Sequence, residues 1–109
     1  MERRNGSRAQ VDLPVGAYVD GWWHACRAVD LSPRGMVVQR TKSLAARVVP
    51  QLNALSLDLG GKQIGVHART VWHEGRLQAV RFVAMNDVDR LDIAEHLDDV
   101  ARSRAMRLH

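Results

Sequence analysis

A chain of 109 residues with 46% hydrophobic and 26% charged residues holds one domain with a single core, and this composition argues against wholesale disorder. No apolar run approaches the roughly 20 residues that a membrane-spanning helix needs, and Met1-Glu2-Arg3-Arg4 has no apolar stretch of a secretory signal behind it. The net charge of +4 favours an anionic partner, while the single cysteine, Cys26, excludes an internal disulfide and fits a cytoplasmic setting.

Residues 1–8 read as an arm ahead of the first apolar alternation. Val11, Leu13, Val15, Ala17 and Val19 share one face of a strand over 9–19. Asp20-Gly21 signals a hairpin turn, and Trp22 to Val29 forms a second strand. Trp22 and Trp23 are adjacent and so point to opposite faces, one into the core and one partly exposed. Cys26 lies in this alternation, as a buried and inert thiol. A turn over Asp30–Gly35 leads to a short strand, Met36 to Arg40. Leu44 to Val49 fits either a helical turn or an irregular loop, ended by Pro50.

Ala54 to Leu59 alternates with Leu55, Leu57 and Leu59 inward, and Gly60-Gly61 turns the chain. Gln63 to His73 follows, with Ile64, Val66, Ala68 and Val71 inward. Glu74-Gly75 turns again, and Leu77 to Ala84 is the last strand. Short strands joined by glycine turns predict an antiparallel barrel or sandwich. The last element differs. Asn86 or Asp87 caps a helix running to residue 107, with Asp87 and Asp89 at its positive end. Ile93, Leu97, Val100, Ala101 and Leu108 form its apolar stripe, which must pack on the barrel or on a partner.

Two short motifs stand out. Arg3-Arg4-Asn5-Gly6-Ser7-Arg8 contains R-x-x-x-R, and Asp30-Leu31-Ser32-Pro33-Arg34-Gly35 reads D-x-S-x-x-G. Each alone has a plain reading, a solvated basic tail and a turn. Together they suit a ligand with phosphates and guanine edges. Arginine forks match phosphate and the O6/N7 edge of guanine. A carboxylate accepts from the N1 and N2 donors of guanine's other edge, and glycine lets backbone come close. Trp72 fits two readings, an aromatic plug at a barrel end or a stacking platform for a base. The histidines do not form a metal site by spacing; His67 and His73 lie too far apart on one strand. No nucleophile elbow, P-loop or zincin pair is present, so an enzyme is not expected.

On these two motifs the chain resembles the PilZ domain family, bacterial receptors for cyclic di-GMP. Ala79-Val80-Arg81-Phe82 is similar to the family's late G-V/I-x-F strand, with Ala79 in place of glycine, a departure expected to touch the barrel more than the site. The resemblance implies a six-stranded antiparallel barrel over 9–84 followed by a C-terminal helix. It implies that Arg4 and Arg8 grip guanine edges and phosphates, with Arg3 adding a contact. Asp30 and Ser32 then hydrogen-bond a guanine, and Gly35 admits the backbone. Arg34 could reach a phosphate. Arg3, directly before R-x-x-x-R, further implies two stacked cyclic di-GMP molecules per chain. Ligand would order the arm, and an effector protein would read the new surface, without membrane insertion. The alternatives are a small basic barrel for single-stranded nucleic acid and a PilZ-like interaction module without ligand.

Overall fold

The computed structural model describes residues 8–42 and 49–107. Six strands, β1 (Ala9–Val19), β2 (Trp22–Ser32), β3 (Gly35–Gln39), β4 (Leu52–Leu59), β5 (Lys62–Glu74) and β6 (Leu77–Ala84), are followed by one helix, α1 (Asp87–Arg107). The strands close in the order β1-β2-β3-β6-β5-β4, every neighbour antiparallel. The expected barrel and its C-terminal helix are both present. Closure leaves no free sheet edge.

The alternation of the sequence builds the interior. Val15 and Ala17 of β1, Leu55, Leu57 and Leu59 of β4, and Ile64, Val66 and Ala68 of β5 are buried, with Val11 and Leu13 partly so. Cys26 and Ala28 of β2, Val38 of β3 and Phe82 of β6 complete the core. At the β1–β2 hairpin Asp20 and Gly21 have φ of 52° and 87°, the left-handed conformation that such a two-residue turn demands. Among the described residues no helix is long and apolar enough to cross a membrane.

Several expectations change. β2 runs three residues further, to Ser32, so Asp30 and Ser32 sit on a strand rather than in the turn. β4 begins earlier, at Leu52. Trp22 and Trp23 are both exposed, at 73% and 60%. Trp22 borders the hairpin at the end of the barrel, where parity no longer points into the core. Trp23 lies on the outer face over Gly16, against the edge of Tyr18 with ring centroids 5.1 Å apart. Val71 is exposed, not inward, because Ile64, Val66 and Ala68 set the even positions of β5 inward and Val71 falls on the outer face.

The helix departs too. Asn86 Oδ1 accepts from the Asp89 amide at 2.8 Å, so Asn86 is the cap. Ile93 and Leu97 are buried, but Val100 is half-buried and Ala101 exposed. A helix of 21 residues is about 31 Å long. Only its first half meets the core. Its second half stands off β1 across an open groove between Gln10–Leu13 and Val100–Arg104. Leu108, the arm residues 1–7 and most of the Leu44–Val49 stretch lie outside the described residues.

Candidate functional site

Strand pairing brings the two motifs together. β1 starts directly after Arg8, and Gln10 pairs with Asp30 and Ala9 with Leu31. Arg8 therefore arrives beside the second motif although 22 residues separate it from Asp30. β2 also carries an irregularity against β3 between Ala28 and Asp30. Ala28 and Leu31 are both buried across it, which leaves Asp30 facing outward. The result is a side-on pair. Arg8 Nη2 donates to Asp30 Oδ2 at 2.5 Å, and Nε lies 3.4 Å from Oδ1. The Asp30 hydrogen bond, and then its charge, pushes the Arg8 guanidinium further up from its ordinary value.

Ser32 and Gly35 pair across a two-residue turn, Pro33-Arg34. Ser32 Oγ accepts from the amides of Arg34 and Gly35, each at 3.2 Å, and lies 3.3 Å from the Gly35 carbonyl, to which it can donate. The hydroxyl thus holds the hairpin in shape. Gly35 has a strict reason of its own. A Cβ there would stand 2.2 Å from the Val80 carbonyl oxygen, inside the β6 backbone. The glycine lets β3 and β6 close, which fixes the hairpin relative to Arg81.

These residues form the rim of an outer cleft of about 290 Å³. Arg8, Asp30, Arg34 and Arg81 surround its mouth, Met36, Val37 and Ala79 lie beneath, and Val71 and Trp72 form a wall. Trp72 is 46% exposed, so its indole faces the cleft and is no plug of the barrel end. The strand register explains the layout. Val37, Ala79 and Trp72 form one row across β3, β6 and β5; Gly35, Arg81 and Arg69 form the next. Arg69 and Arg81 oppose each other directly, an arrangement that repels until an anion lies between or over them. Cationic forks, one outward carboxylate and an aromatic wall can hold a planar base and its phosphate.

Of the residues expected to bind, Arg8, Asp30, Ser32, Gly35 and Trp72 meet at this cleft. Arg3 and Arg4 lie outside the described residues. Arg34 joins the cleft, and Ala79 is part of its floor. The replacement of glycine by alanine at Ala79 therefore touches the cleft, contrary to expectation: the residue points outward by parity and lines the cleft rather than the barrel interior. Arg81 and Val71 were missed. Arg81 could be read as outward, between Val80 and Phe82, but its place beside Gly35 needs the β3–β6 register. Val71 follows from the parity of Ile64, Val66 and Ala68, which puts it on the outer face. Among the described residues no cluster of three His, Cys, Asp or Glu could hold a metal ion.

A family model described as the PilZ domain matches residues 2–99. The fold is similar to that of Bacillus subtilis MotI/DgrA, an inhibitor of motility, with a TM-score of 0.74 at 17% identity, over 95% of this chain and 54% of that one. The chain thus spans about half the length of MotI/DgrA. It is also similar to the PilZ domain of CeSA from a cellulose-synthesizing bacterium, with a TM-score of 0.65 at 17% identity, over 87% of this chain and 98% of that one. An uncharacterized Legionella protein matches with a TM-score of 0.62 at 15% identity, over 91% of this chain and 98% of that one. No curated relative matches the chain.

Proposed function

This chain belongs to the PilZ domain family, in general receptors for cyclic di-GMP, and from that premise we propose that it is itself a cyclic di-GMP receptor. The observation that carries the reading is the side-on Arg8–Asp30 pair at the mouth of an aromatic-walled cleft. The N1–H and N2–H of guanine form the same kind of donor fork that Arg8 now presents to Asp30. A guanine can take the carboxylate over and release the arginine. The freed guanidinium then turns to the O6/N7 edge or to a phosphate. Arg81 and Arg34 add charge at the rim, and Trp72 offers its face for stacking. Ser32 serves by holding the hairpin, and its hydroxyl can still reach a ligand.

Binding orders the arm over the cleft, with Arg3 and Arg4 as further contacts, and a partner protein reads the change. Helix α1 touches both motif-bearing segments. Arg90 Nη1 donates to the Pro33 carbonyl at 2.8 Å, and Arg104 Nη2 to the Gln10 carbonyl at 2.5 Å. A shift of either segment therefore reaches the helix, a suitable face for a partner. The reading involves no catalytic step and places the protein in the cytoplasm. Arg3 before R-x-x-x-R favours two stacked ligands per chain, by analogy with the family.

Calorimetric titration with cyclic di-GMP, beside GTP, tests this. Saturable binding of cyclic di-GMP alone, with two ligands per chain for the wild type and a ratio closer to one for Arg3→Leu, is expected. Absence of cyclic di-GMP binding rejects the receptor reading, and a wild-type ratio of one rejects the stacked pair. The double exposure of Trp22 and Trp23 favours single-stranded nucleic acid as a second reading. A short oligonucleotide bound with steep salt dependence, and no cyclic di-GMP binding, would support it.

A further inference from the structure

The end of the barrel interior beneath Trp72 is polar. Arg40, Gln78 and Asn53 are buried there, with Thr70 partly so. Arg40 Nε donates to Gln78 Oε1 at 2.8 Å, and its Nη2 donates to the same oxygen. Gln78 Nε2 donates to Thr70 Oγ1 at 2.8 Å and to Asn53 Oδ1 at 3.2 Å. Asn53 Nδ2 donates to Thr70 Oγ1 at 3.0 Å, and the Thr70 hydroxyl donates to the Pro50 carbonyl at 2.6 Å. Both lone pairs and the proton of that hydroxyl are used.

The cluster sits where β5 changes phase. Ile64, Val66, Ala68 and Thr70 occupy the inward positions of β5, so an unbroken strand would send Trp72 inward as well. In that ladder Trp72 would oppose Gln78, since Thr70 opposes Val80. The interior at that level is already filled by the side chains of Gln78 and Arg40. The bulge resolves the conflict. One residue, Val71, is left over, and Trp72 pairs with Ala79 on the outer row. Ala79 is small enough for an indole to lie beside it. Thr70, held by three partners, fixes where the slip begins.

We infer that the buried cluster of Arg40, Gln78, Asn53 and Thr70 is a positioning device: by filling the barrel interior it forces the bulge at Val71 and turns Trp72 out onto the cleft. The inference rests on the receptor reading only for what the indole meets there. The placement of the indole is independent of it.

Two double variants separate filling from emptying. In a Trp22→Phe/Trp23→Phe background Trp72 is the sole tryptophan of the chain. Its emission maximum and its quenching by acrylamide are then measured without ligand. Arg40→Leu/Gln78→Leu keeps the layer full without charge, and Trp72 should remain as quenchable as in the parent. Arg40→Ala/Gln78→Ala empties it, and the indole should move inward, with a blue-shifted emission and reduced quenching. Affinity for cyclic di-GMP should follow, unchanged in the first variant and weakened about tenfold or more in the second. A folded alanine variant with unchanged quenching overturns the inference, as does a leucine variant that buries Trp72. Should the alanine variant fail to fold, magnetisation transfer in the wild type decides. Contacts of the indole protons with the Ala79 methyl support the inference, and contacts with the Gln78 side chain instead overturn it. Absence of cyclic di-GMP binding in the parent would sink the receptor reading and leave the quenching result intact.

Discussion

Two arginines of this domain each present a fork to a side-chain oxygen acceptor, in opposite surroundings. Arg8 meets the Asp30 carboxylate at the rim, where the two side chains are 66% and 24% exposed. Arg40 meets the neutral amide of Gln78 inside the barrel, where the residues are 8% and 0% exposed. The formal charges would suggest that the first pair is the stronger. Solvent reverses the order. Water screens the rim pair and competes for both partners, so such pairs contribute little to stability, at most about 1 kcal/mol. The interior arginine is largely buried, reaching solvent only along a cavity that it lines with Asp20 and Lys42, so its amide acceptor is hard to replace. The rim pair is cheap to open and therefore exchangeable for a ligand. The interior pair is costly to open and therefore fit to hold shape.

The sharpest way to break this comparison is to remove each acceptor. Gln78→Leu leaves the Arg40 guanidinium buried without its amide oxygen. We expect a loss of about 3 kcal/mol or more in urea unfolding. Arg40→Leu/Gln78→Leu removes charge and acceptor together and should recover most of that loss. A single variant as stable as wild type would mean that water replaces the amide acceptor of Arg40, and the contrast with Arg8 would collapse.

At the rim the expectation is reversed, with a large effect on ligand and a small one on fold. A ligand bound only by the folded chain stabilises it by about 2.7 kcal/mol at a hundredfold excess over its dissociation constant. Asp30→Ala should abolish the corresponding rise in Tm on addition of cyclic di-GMP. Arg8→Ala should weaken binding by on the order of 1.5–3 kcal/mol, while changing the stability of the ligand-free protein by less than about 1 kcal/mol. Unchanged affinity in Arg8→Ala would show that the pair is only a strap for β1 on β2.

Local patterns were legible in the sequence, and what depended on register was not. The alternation of Leu55, Leu57 and Leu59, and the glycine turns, were enough for an antiparallel barrel or sandwich, and the resemblance to the PilZ family chose the barrel. Arg8 and Asp30 could be linked through motif spacing, and β1–β2 pairing gives that link its geometry. Arg81 escaped because an arginine between two buried apolar residues looks like any solvated strand position. Only its pairing with Gly35 brings it to the cleft. Trp72 was hard to place because a bulge inverts parity without altering composition, whereas the outer place of Val71 was legible in the parity of Ile64, Val66 and Ala68. Trp22 and Trp23 misled because alternation guarantees opposite sides of a strand, not that a core continues to the strand's end. The helix stripe ran past the barrel it packs on, for the same reason: periodicity reports a face and not the length of its partner.

The smallest expected effect sharpens the description of Arg40's surroundings. Cys26 Sγ lies 4.0 Å from Arg40 Nη1. A neighbouring cation favours a thiolate, and burial opposes one. Burial wins: it pushes the Cys26 thiol above its ordinary value, against the charge and hydrogen bond of Arg40. The folded chain therefore holds this proton more tightly than the unfolded chain does. The stability tied to it is complete below the unfolded thiol's range, about pH 8.5, and is lost as pH rises from there through the folded value. The loss can be no steeper than about 1.4 kcal/mol per pH unit. The Lys62 ammonium is also pushed up, chiefly by its hydrogen bond to Asp92, but its window opens only near pH 10 and above. The difference in urea midpoints between wild type and Cys26→Ala from about pH 7 to 9.5 thus reads the cysteine. Wild type should lose stability across that interval, and Cys26→Ala should lose less. The folded thiol should also react slowly with iodoacetamide at pH 7.5. Rapid alkylation of the folded chain, or a profile in Cys26→Ala as steep as in wild type, would show that Arg40's charge governs the thiol and that this end of the barrel is wetter than its side chains suggest.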